Sequence, residues 1–412
     1  EVNNQVSPPN IIWIVSDDLG TDLGCYGNKA VQTPNLDTFA RNAERYTNFF
    51  TVTPVCSPSR SSLITGMYPT SIASHQHRTF QKEPLSSGIQ SVTSYFKDAG
   101  YYVSNANAKF TGNGKMDYNF DTHFDSLFDH FDYRNAVEGQ PVFAQIQLFA
   151  PHRPFHKDSL NPVDPKRVEI PPYYPDHKIT RKDWALYLET IQEVDHAFGQ
   201  IMDRLEKDGL LENSIIFFFG DQGRPHLRAK QFLYDPGTNT PLMIRWPDGR
   251  RSGQITNQLV SNVDIAPTSL TMAGLDVPNH IQGINFLSNS RDHVFTMRDR
   301  MDGTTDRMRA VRTDSFKYIR NYYPHLPYTQ FNAYKRTSYP VLTLMRVMNQ
   351  QGLLSDEQAL FMAAQKPAEE LYDLLNDPYE LNNLADDDEN ENDDDDERVG
   401  QVEYIMESTR SS

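Results

Sequence analysis

Three carboxylates and one thiol are the groups whose types and spacing point to chemistry. Asp17 and Asp18 follow the apolar run Ile11 to Val15 with only Ser16 between, and Asp221 and Gln222 follow a second such run, Ile215 to Phe219. Carboxylates brought together repel unless a cation neutralises them. A donor set made of oxygens suits a hard divalent ion, Ca2+ or Mg2+, and Gln222 adds an amide oxygen. Taken singly, an acid after a strand is ordinarily a helix cap or a solvated group. An Asp pair after one buried run, matched by an Asp after another, is a less ordinary arrangement.

The thiol belongs to Cys56, one of only two cysteines, in the stretch Pro54-Val55-Cys56-Ser57-Pro58-Ser59-Arg60. Such a thiol has three uses: a nucleophile, half of a disulfide, or raw material for another group. Ser59 to Thr65, closed by Gly66, predicts a helix. Cys56 then lies where backbone N–H groups favour an anion, with Arg60 one turn away as a fixed positive charge. Cys25 reads as a small buried hydrophobe.

These groups need elements that bring them together. Ile11 to Val15 and Ile215 to Phe219 read as buried parallel strands, as does Val142 to Phe149, which leads into Ala150-Pro151-His152. A weaker run around Tyr101 to Ser104 leads towards Asn107 and Lys109. Helical periodicity covers Trp184 to Asp208, stopped by Gly209, and Val263 to Ala273, stopped by Gly274. Strands alternating with helices predict an α/β fold, a doubly wound mixed sheet flanked by helices. In that architecture ligands sit beyond the carboxyl ends of the strands. Asp17, Asp18, Lys109, His152, Asp221 and Gln222 should therefore converge on one edge.

From about Arg291 the texture changes to short strands between charged stretches, at Val294 to Met297, Ala310 to Val311 and Lys317 to Ile319. Helical stretches at Tyr339 to Met348 and Asp356 to Ala364 follow, and then Glu370 to Leu375. The expected division is a catalytic α/β domain over 1–290, a smaller α+β domain over 291–385, and a tail over 386–412. The length of 412 residues fits one large domain with a smaller companion. The net charge of −16 is concentrated in the tail, where Asp386 to Glu397 carries no basic residue and reads as solvated and disordered. No basic stripe or nucleic-acid motif is present, and no apolar run reaches the ~18 residues of a membrane span. Two cysteines make no disulfide framework. Glu1 to Asn10 has neither a basic start nor an apolar core, so the chain reads as cytoplasmic or as mature and exported.

Cys56-Ser57-Pro58-Ser59-Arg60, with Leu63 to Gly66 and Tyr68-Pro69 behind it, resembles the C-x-P-S-R signature of the type I, formylglycine-dependent sulfatases of the alkaline-phosphatase-like superfamily. Pro9 to Gly20, Thr33 to Asp37, Pro151 to Phe155, Phe219 to Gly223, Pro241 to Pro247 and Glu370 to Asp373 agree in the same order. The resemblance spans roughly residues 9 to 385. It implies a calcium ion held by Asp17, Asp18, Asp221, Gln222 and an oxygen of residue 56. It implies that a maturation enzyme converts Cys56 to formylglycine, whose hydrate attacks the sulfur and then expels sulfate. Arg60 would hold the hydrate, while His152 and Lys230 would bind sulfate and protonate the leaving group.

Two departures stand out. Gln222 occupies a position usually filled by Asn or His. Where the family has Lys-x-His, this chain offers Lys109-Phe110-Thr111 or Lys115-Met116-Asp117, and Lys109 is preferred because it lies closer to the strand end. His226, Arg228, Arg298, Asp299 and Arg300, near the domain junction, are the expected substrate contacts. The pattern is similar to bacterial polysaccharide sulfatases and heparan N-sulfatase-like proteins. It implies a sulfated carbohydrate as substrate, with O-linked sulfate, and a periplasmic or secreted location. Alternatives are a sulfamidase, a phosphate or phosphonate ester hydrolase of the same superfamily, and a glycan-binding relative without catalysis.

Overall fold

A computed structural model describes residues 7–386, so the expected tail falls outside the described residues from 387 onward. The main sheet has seven strands, ordered Tyr102–Asn107, Val142–Leu148, Asn10–Ser16, Ser214–Gly220, Leu242–Arg245, Glu44–Tyr46 and Ile255–Thr256. The first four are parallel, and Leu242–Arg245 runs antiparallel to Ser214–Gly220. The sheet is therefore mixed. Every residue of the three central strands is buried, which accounts for the apolar runs Ile11 to Val15 and Ile215 to Phe219.

Side chains alternate between the two faces of the sheet. Ile12, Ile14, Ile216 and Phe218 pack with Tyr187, Ile191 and Phe198 of the helix Lys178–Lys207. Ile11, Trp13, Val15, Phe217 and Phe219 face the other way, against Leu63 and Ile64 of the helix Cys56–Thr65 and Leu270 of Ile265–Met272. Trp13 Nε1 donates to Ser269 Oγ at 3.0 Å, so even this buried indole is satisfied.

Two helices begin earlier than their sequences suggest. The long one starts at Lys178 because the His177 ring accepts from the Ile179 N–H, a cap that periodicity does not reveal. The cysteine helix starts at Cys56 itself, with Pro58 in its first turn, where a missing N–H costs nothing. It ends at Gly66, whose φ of 67° is the left-handed conformation that glycine adopts freely.

Beyond residue 290 a second, antiparallel sheet forms from Val294–Arg298, Met308–Arg312, Phe316–Asn321 and Glu369–Asp373. Its inner face, with Met308, Ala310 and Ile319, joins the same apolar cluster as Ile12 and the long helix. The small sheet is thus welded to the large one. Among the described residues no helix is long and apolar enough to cross a membrane.

Candidate active site

Strand register builds the site. Ser16 pairs with Leu148 on one side and with Gly220 on the other, so the residues after all three leave the sheet at one level. Asp17 N–H donates to Leu148 O at 2.9 Å and Asp221 N–H to Ser16 O at 3.0 Å, which brings both acids to the same edge. Asp18 adopts a left-handed φ of 58°, and its N–H donates to Asp221 Oδ1 at 2.9 Å. Asp17, Asp18 and Asp221 are all buried.

The cysteine helix points its first residue into this cluster. Cys56 Sγ lies 3.6 Å from Asp17 Oδ1 and 3.9 Å from Asp18 Oδ1. Ligand atoms of Asp17, Cys56 and Asp221 all fall within 4.8 Å of one another. Gln222 Nε2 contacts Asp18 Oδ1 and lies 3.5 Å from Cys56 Sγ, while its Oε1 is buried without a partner. A half-turn of the amide exchanges the two atoms and adds an amide oxygen to the carboxylates of the cluster. Burial and crowding by Asp17 push the Asp221 carboxyl up to about 7 against the pull of Arg60. Asp17 goes the other way: burial would raise it, but Lys115 and then Arg60 hold it well below the usual carboxylate range. Buried acids that cannot all ionise unaided, beside an orphaned amide oxygen, fit a hard divalent cation.

Four cationic or titratable side chains surround the acids. Arg60, one turn after Cys56, donates from Nε to Asp221 Oδ2 and from Nη1 to Gln147 Oε1, each at 2.8 Å. Lys115 Nζ lies 2.7 Å from Asp17 Oδ2. Lys230 Nζ lies 2.6 and 2.8 Å from the two Asp18 oxygens. His152 Nε2 is 3.8 Å from Asp18 Oδ2, and its Nδ1 sits 2.5 Å from the Arg153 carbonyl. That carbonyl can only accept, so Nδ1 carries the proton and Nε2 faces the acids.

The thiol's three uses narrow here. Cys25 and Cys56 are both free, so no bridge forms. Burial pushes the Cys56 thiol well above its ordinary range, against the pull of Lys115 and Lys230.

The sulfatase family model matches residues 9–275, and a second model, the C-terminal part of N-sulphoglucosamine sulphohydrolase, matches residues 223–341. The chain belongs to the sulfatase family. An ulvan-active sulfatase of Formosa agariphila is 34% identical over 433 residues, covering 92% of this chain and 71% of that protein. Human N-sulphoglucosamine sulphohydrolase is 26% identical over 445 residues, covering 92% and 86%. Two solved structures share the fold. One, a complex with the substrate D-glucosamine-2-N,6-O-disulfate, has TM-score 0.69 at 19% identity and covers 98% of each chain. The other, the phosphonate monoester hydrolase of Agrobacterium radiobacter, has TM-score 0.70 at 19% identity, covering 98% of this chain and 95% of that one.

In this sulfatase the preference for Lys109 is corrected. Lys109 is exposed on a turn, where Asn107 N–H donates to Gly112 O and Gly114 N–H to Asn105 O. That turn sends the chain back along its own strand and carries Lys115, not Lys109, to Asp17. Asp117 then stands where Lys-x-His has histidine, and it accepts from Arg78 Nε at 3.1 Å and Nη2 at 2.9 Å.

Three of the expected substrate contacts are also corrected. His226 is enclosed by Trp184 and Tyr187, with ring centroids 4.0 and 4.7 Å away, and burial pushes its pKa well below the ordinary value. Arg228 is buried over Tyr234 and donates to the Tyr379 and Glu380 carbonyls, clamping the end of the described chain. Arg298 is 1% exposed, over Phe232 and 3.6 Å from Asp306. Arg228 and Arg298 tie segments before and after residue 290 together, and His226 is buried within the first of them. Asp299 and Arg300 are partly exposed: Asp299 pairs with Arg309 at 2.9 Å, and Arg300 donates to Gln76 Oε1 at 3.1 Å and His77 O at 2.9 Å.

Sequence reading missed Gln147, His77 and Tyr334. Gln147 had a signal, one of two glutamines, with Gln145, in a fully buried strand. His77 is buried, with Nδ1 3.3 Å from the hydroxyl of Ser57, the neighbour of Cys56. Tyr334 comes from the small domain and stacks on His152. Neither carries a sequence signal.

Proposed function

We propose that this sulfuric ester hydrolase removes O-linked sulfate from a sulfated carbohydrate, using a formylglycine made from Cys56 and a bound calcium ion. The observation that carries the reading is the position of Cys56, on the first turn of a buried helix, 3.6 Å from Asp17 and 3.9 Å from Asp18. The modified residue would supply a hydrated aldehyde as nucleophile and calcium a Lewis acid for the sulfuryl oxygens. Asp17, Asp18, Asp221 and Gln222 would hold the ion. Calcium is favoured because every protein donor besides residue 56 is a hard oxygen.

The chain's own residues do the remaining work. Lys115 and Lys230 stand on opposite acids of the pair, Asp17 and Asp18, and would flank the sulfate with fixed positive charge. Burial would lower Lys230, but Asp18 holds it well above its ordinary value, so it stays charged. Arg60, fixed by Asp221 and Gln147, would orient the hydrate. His152, with Nδ1–H committed to the Arg153 carbonyl, would hold a proton on Nε2 for the leaving oxygen.

The carbohydrate class rests on the names of the relatives, an ulvan-active sulfatase and a sulphoglucosamine sulphohydrolase among them. A formylglycine-generating enzyme is the implied maturation partner, and the reading includes an exported location, periplasmic or secreted. Residues 1–290 would form the catalytic domain and 291–385 the domain that completes it.

A phosphonate monoester hydrolase shares the fold, which makes ester choice the direct test. Sulfate and phosphate esters of one alcohol would be compared on protein whose residue 56 is confirmed as formylglycine by mass spectrometry. Faster sulfate turnover is expected. Preferred turnover of the phosphate ester, or an unconverted Cys56 in active protein, would overturn the reading.

A further inference from the structure

The helix Ala333–Ser338, which follows the third strand of the second sheet, reaches the active site through three anchors. Tyr334 stacks on His152 with ring centroids 5.9 Å apart and an interplanar angle of 30°. Lys335 Nζ donates to the Lys230 backbone carbonyl at 2.9 Å. The Ser338 carbonyl accepts from Arg153 Nη1, also at 2.9 Å. One six-residue helix therefore supports both groups that face Asp18, through the ring of His152 and the backbone of Lys230. None of these contacts needs a free phenol.

The Tyr334 phenol is nevertheless placed at the site. Lys230 Nζ lies 5.7 Å from the centre of its ring. Burial raises its pKa and Lys230 opposes, while Asp18 and Cys56 lie near enough to act on it. Its hydroxyl is shielded from solvent, yet it makes no hydrogen bond with any described residue. Leaving a buried hydroxyl unpaired costs about 1–3 kcal/mol, a penalty relieved when a ligand supplies the partner.

We infer that Tyr334 is a substrate-positioning residue whose hydroxyl hydrogen-bonds an oxygen of the sugar that carries the scissile sulfate. The inference rests on the carbohydrate reading above. The sulfuryl oxygens belong to Lys115, Lys230 and Arg60. Tyr334 stacks instead on the His152 ring, whose Nε2 would serve the leaving oxygen, and its unpartnered hydroxyl is the polar group this stack leaves for the sugar beyond the sulfate. The stack holds the imidazole, and the hydroxyl selects what lies beyond the sulfate.

Tyr334→Phe keeps the stack and removes only the hydroxyl. Sulfate release from ulvan oligosaccharides would be compared with hydrolysis of 4-nitrophenyl sulfate, which has no sugar. The ratio of KM for the saccharide to KM for the aryl ester should rise about 3- to 10-fold, as expected for one lost hydrogen bond. The effect on KM should exceed that on kcat. Tyr334→Leu, which also loses the stack, should lower kcat as well, and Phe should restore it. As a readout apart from turnover, calorimetry on Cys56→Ala protein should show weaker oligosaccharide binding when Tyr334→Phe is added. If wild-type enzyme releases sulfate from the saccharide and Tyr334→Phe leaves the KM ratio and the binding unchanged, the inference fails alone. If wild-type enzyme hydrolyses the aryl ester but neither binds nor desulfates any sulfated saccharide, the substrate reading fails and takes the inference with it.

Discussion

Replacing Asp221 by Asn is expected to separate cation binding from folding in a way that pH exposes. In the cation-free protein, burial and the neighbouring Asp17 push the Asp221 carboxyl from 3.8 up to about 7. The folded state therefore keeps a proton that the unfolded chain has already released. The sign follows: this carboxyl's contribution to stability is greatest in acid and is lost as pH rises through about 7. A divalent cation reverses the trend, because it binds the ionised carboxylate and expels the proton. At pH 8 that proton is already gone. At pH 5, two units below the shifted value, removing it costs ~2.7 kcal/mol, which weakens calcium binding about 100-fold. At a fixed calcium concentration well above the dissociation constant at both pH values, that difference is about 3 °C in Tm for a chain of this size. Differential scanning fluorimetry with calcium or EDTA, from pH 5 to 8, measures it. The calcium-dependent rise in Tm should be large at pH 8, shrink towards pH 5, and vanish at every pH in Asp221→Asn. A calcium effect that is constant from pH 5 to 8, or that survives in Asp221→Asn, would refute the assignment of Asp221 as a proton-linked ligand.

Three further outcomes are expected. Lys115→Ala should lower kcat/KM for an aryl sulfate by at least ~100-fold, as loss of a charge aimed at the transition state does, while the exposed Lys109→Ala should change it less than about twofold. His77, pushed by burial from 6.5 to about 3, refuses a proton that the unfolded chain accepts, so stability is lost as pH falls below 6.5. The loss is about 2 kcal/mol at pH 5, and urea denaturation at pH 5 and 7.5 should show it shrink in His77→Gln. His226→Phe, enclosed among aromatic rings, should keep wild-type KM for the saccharide, where a substrate contact would lose affinity.

What the sequence made legible follows physical rules that act locally. A buried parallel strand must be apolar on both faces, so Ile11 to Val15 and Ile215 to Phe219 declared themselves, and Asp17, Asp18 and Asp221 could be placed at their ends. Cys56 and Arg60 were fixed one helical turn apart by the helix that carries both. What failed depended on the path of the chain through space. Lys109 is nearer the strand end in sequence, but the turn through residues 107–112 reverses direction and delivers Lys115. His226, Arg228 and Arg298 were expected to meet substrate, yet each is buried by partners distant in sequence: Trp184 and Tyr187 for His226, Tyr379 and Glu380 for Arg228, Phe232 for Arg298. Tyr334 could not be foreseen, because its role exists only once the helix Ala333–Ser338 docks beside His152.

The central claim is that residue 56, as formylglycine, removes sulfate from a sulfated carbohydrate. Its most direct test is release of inorganic sulfate from a panel of sulfated glycans and their oligosaccharides, using protein co-expressed with a formylglycine-generating enzyme. Wild-type protein should release sulfate from at least one glycan, and Cys56→Ala, correctly folded by circular dichroism, should release none. Near-normal release by Cys56→Ala would contradict the mechanism, and silence from fully converted wild-type protein across the panel would contradict the assignment of the substrate.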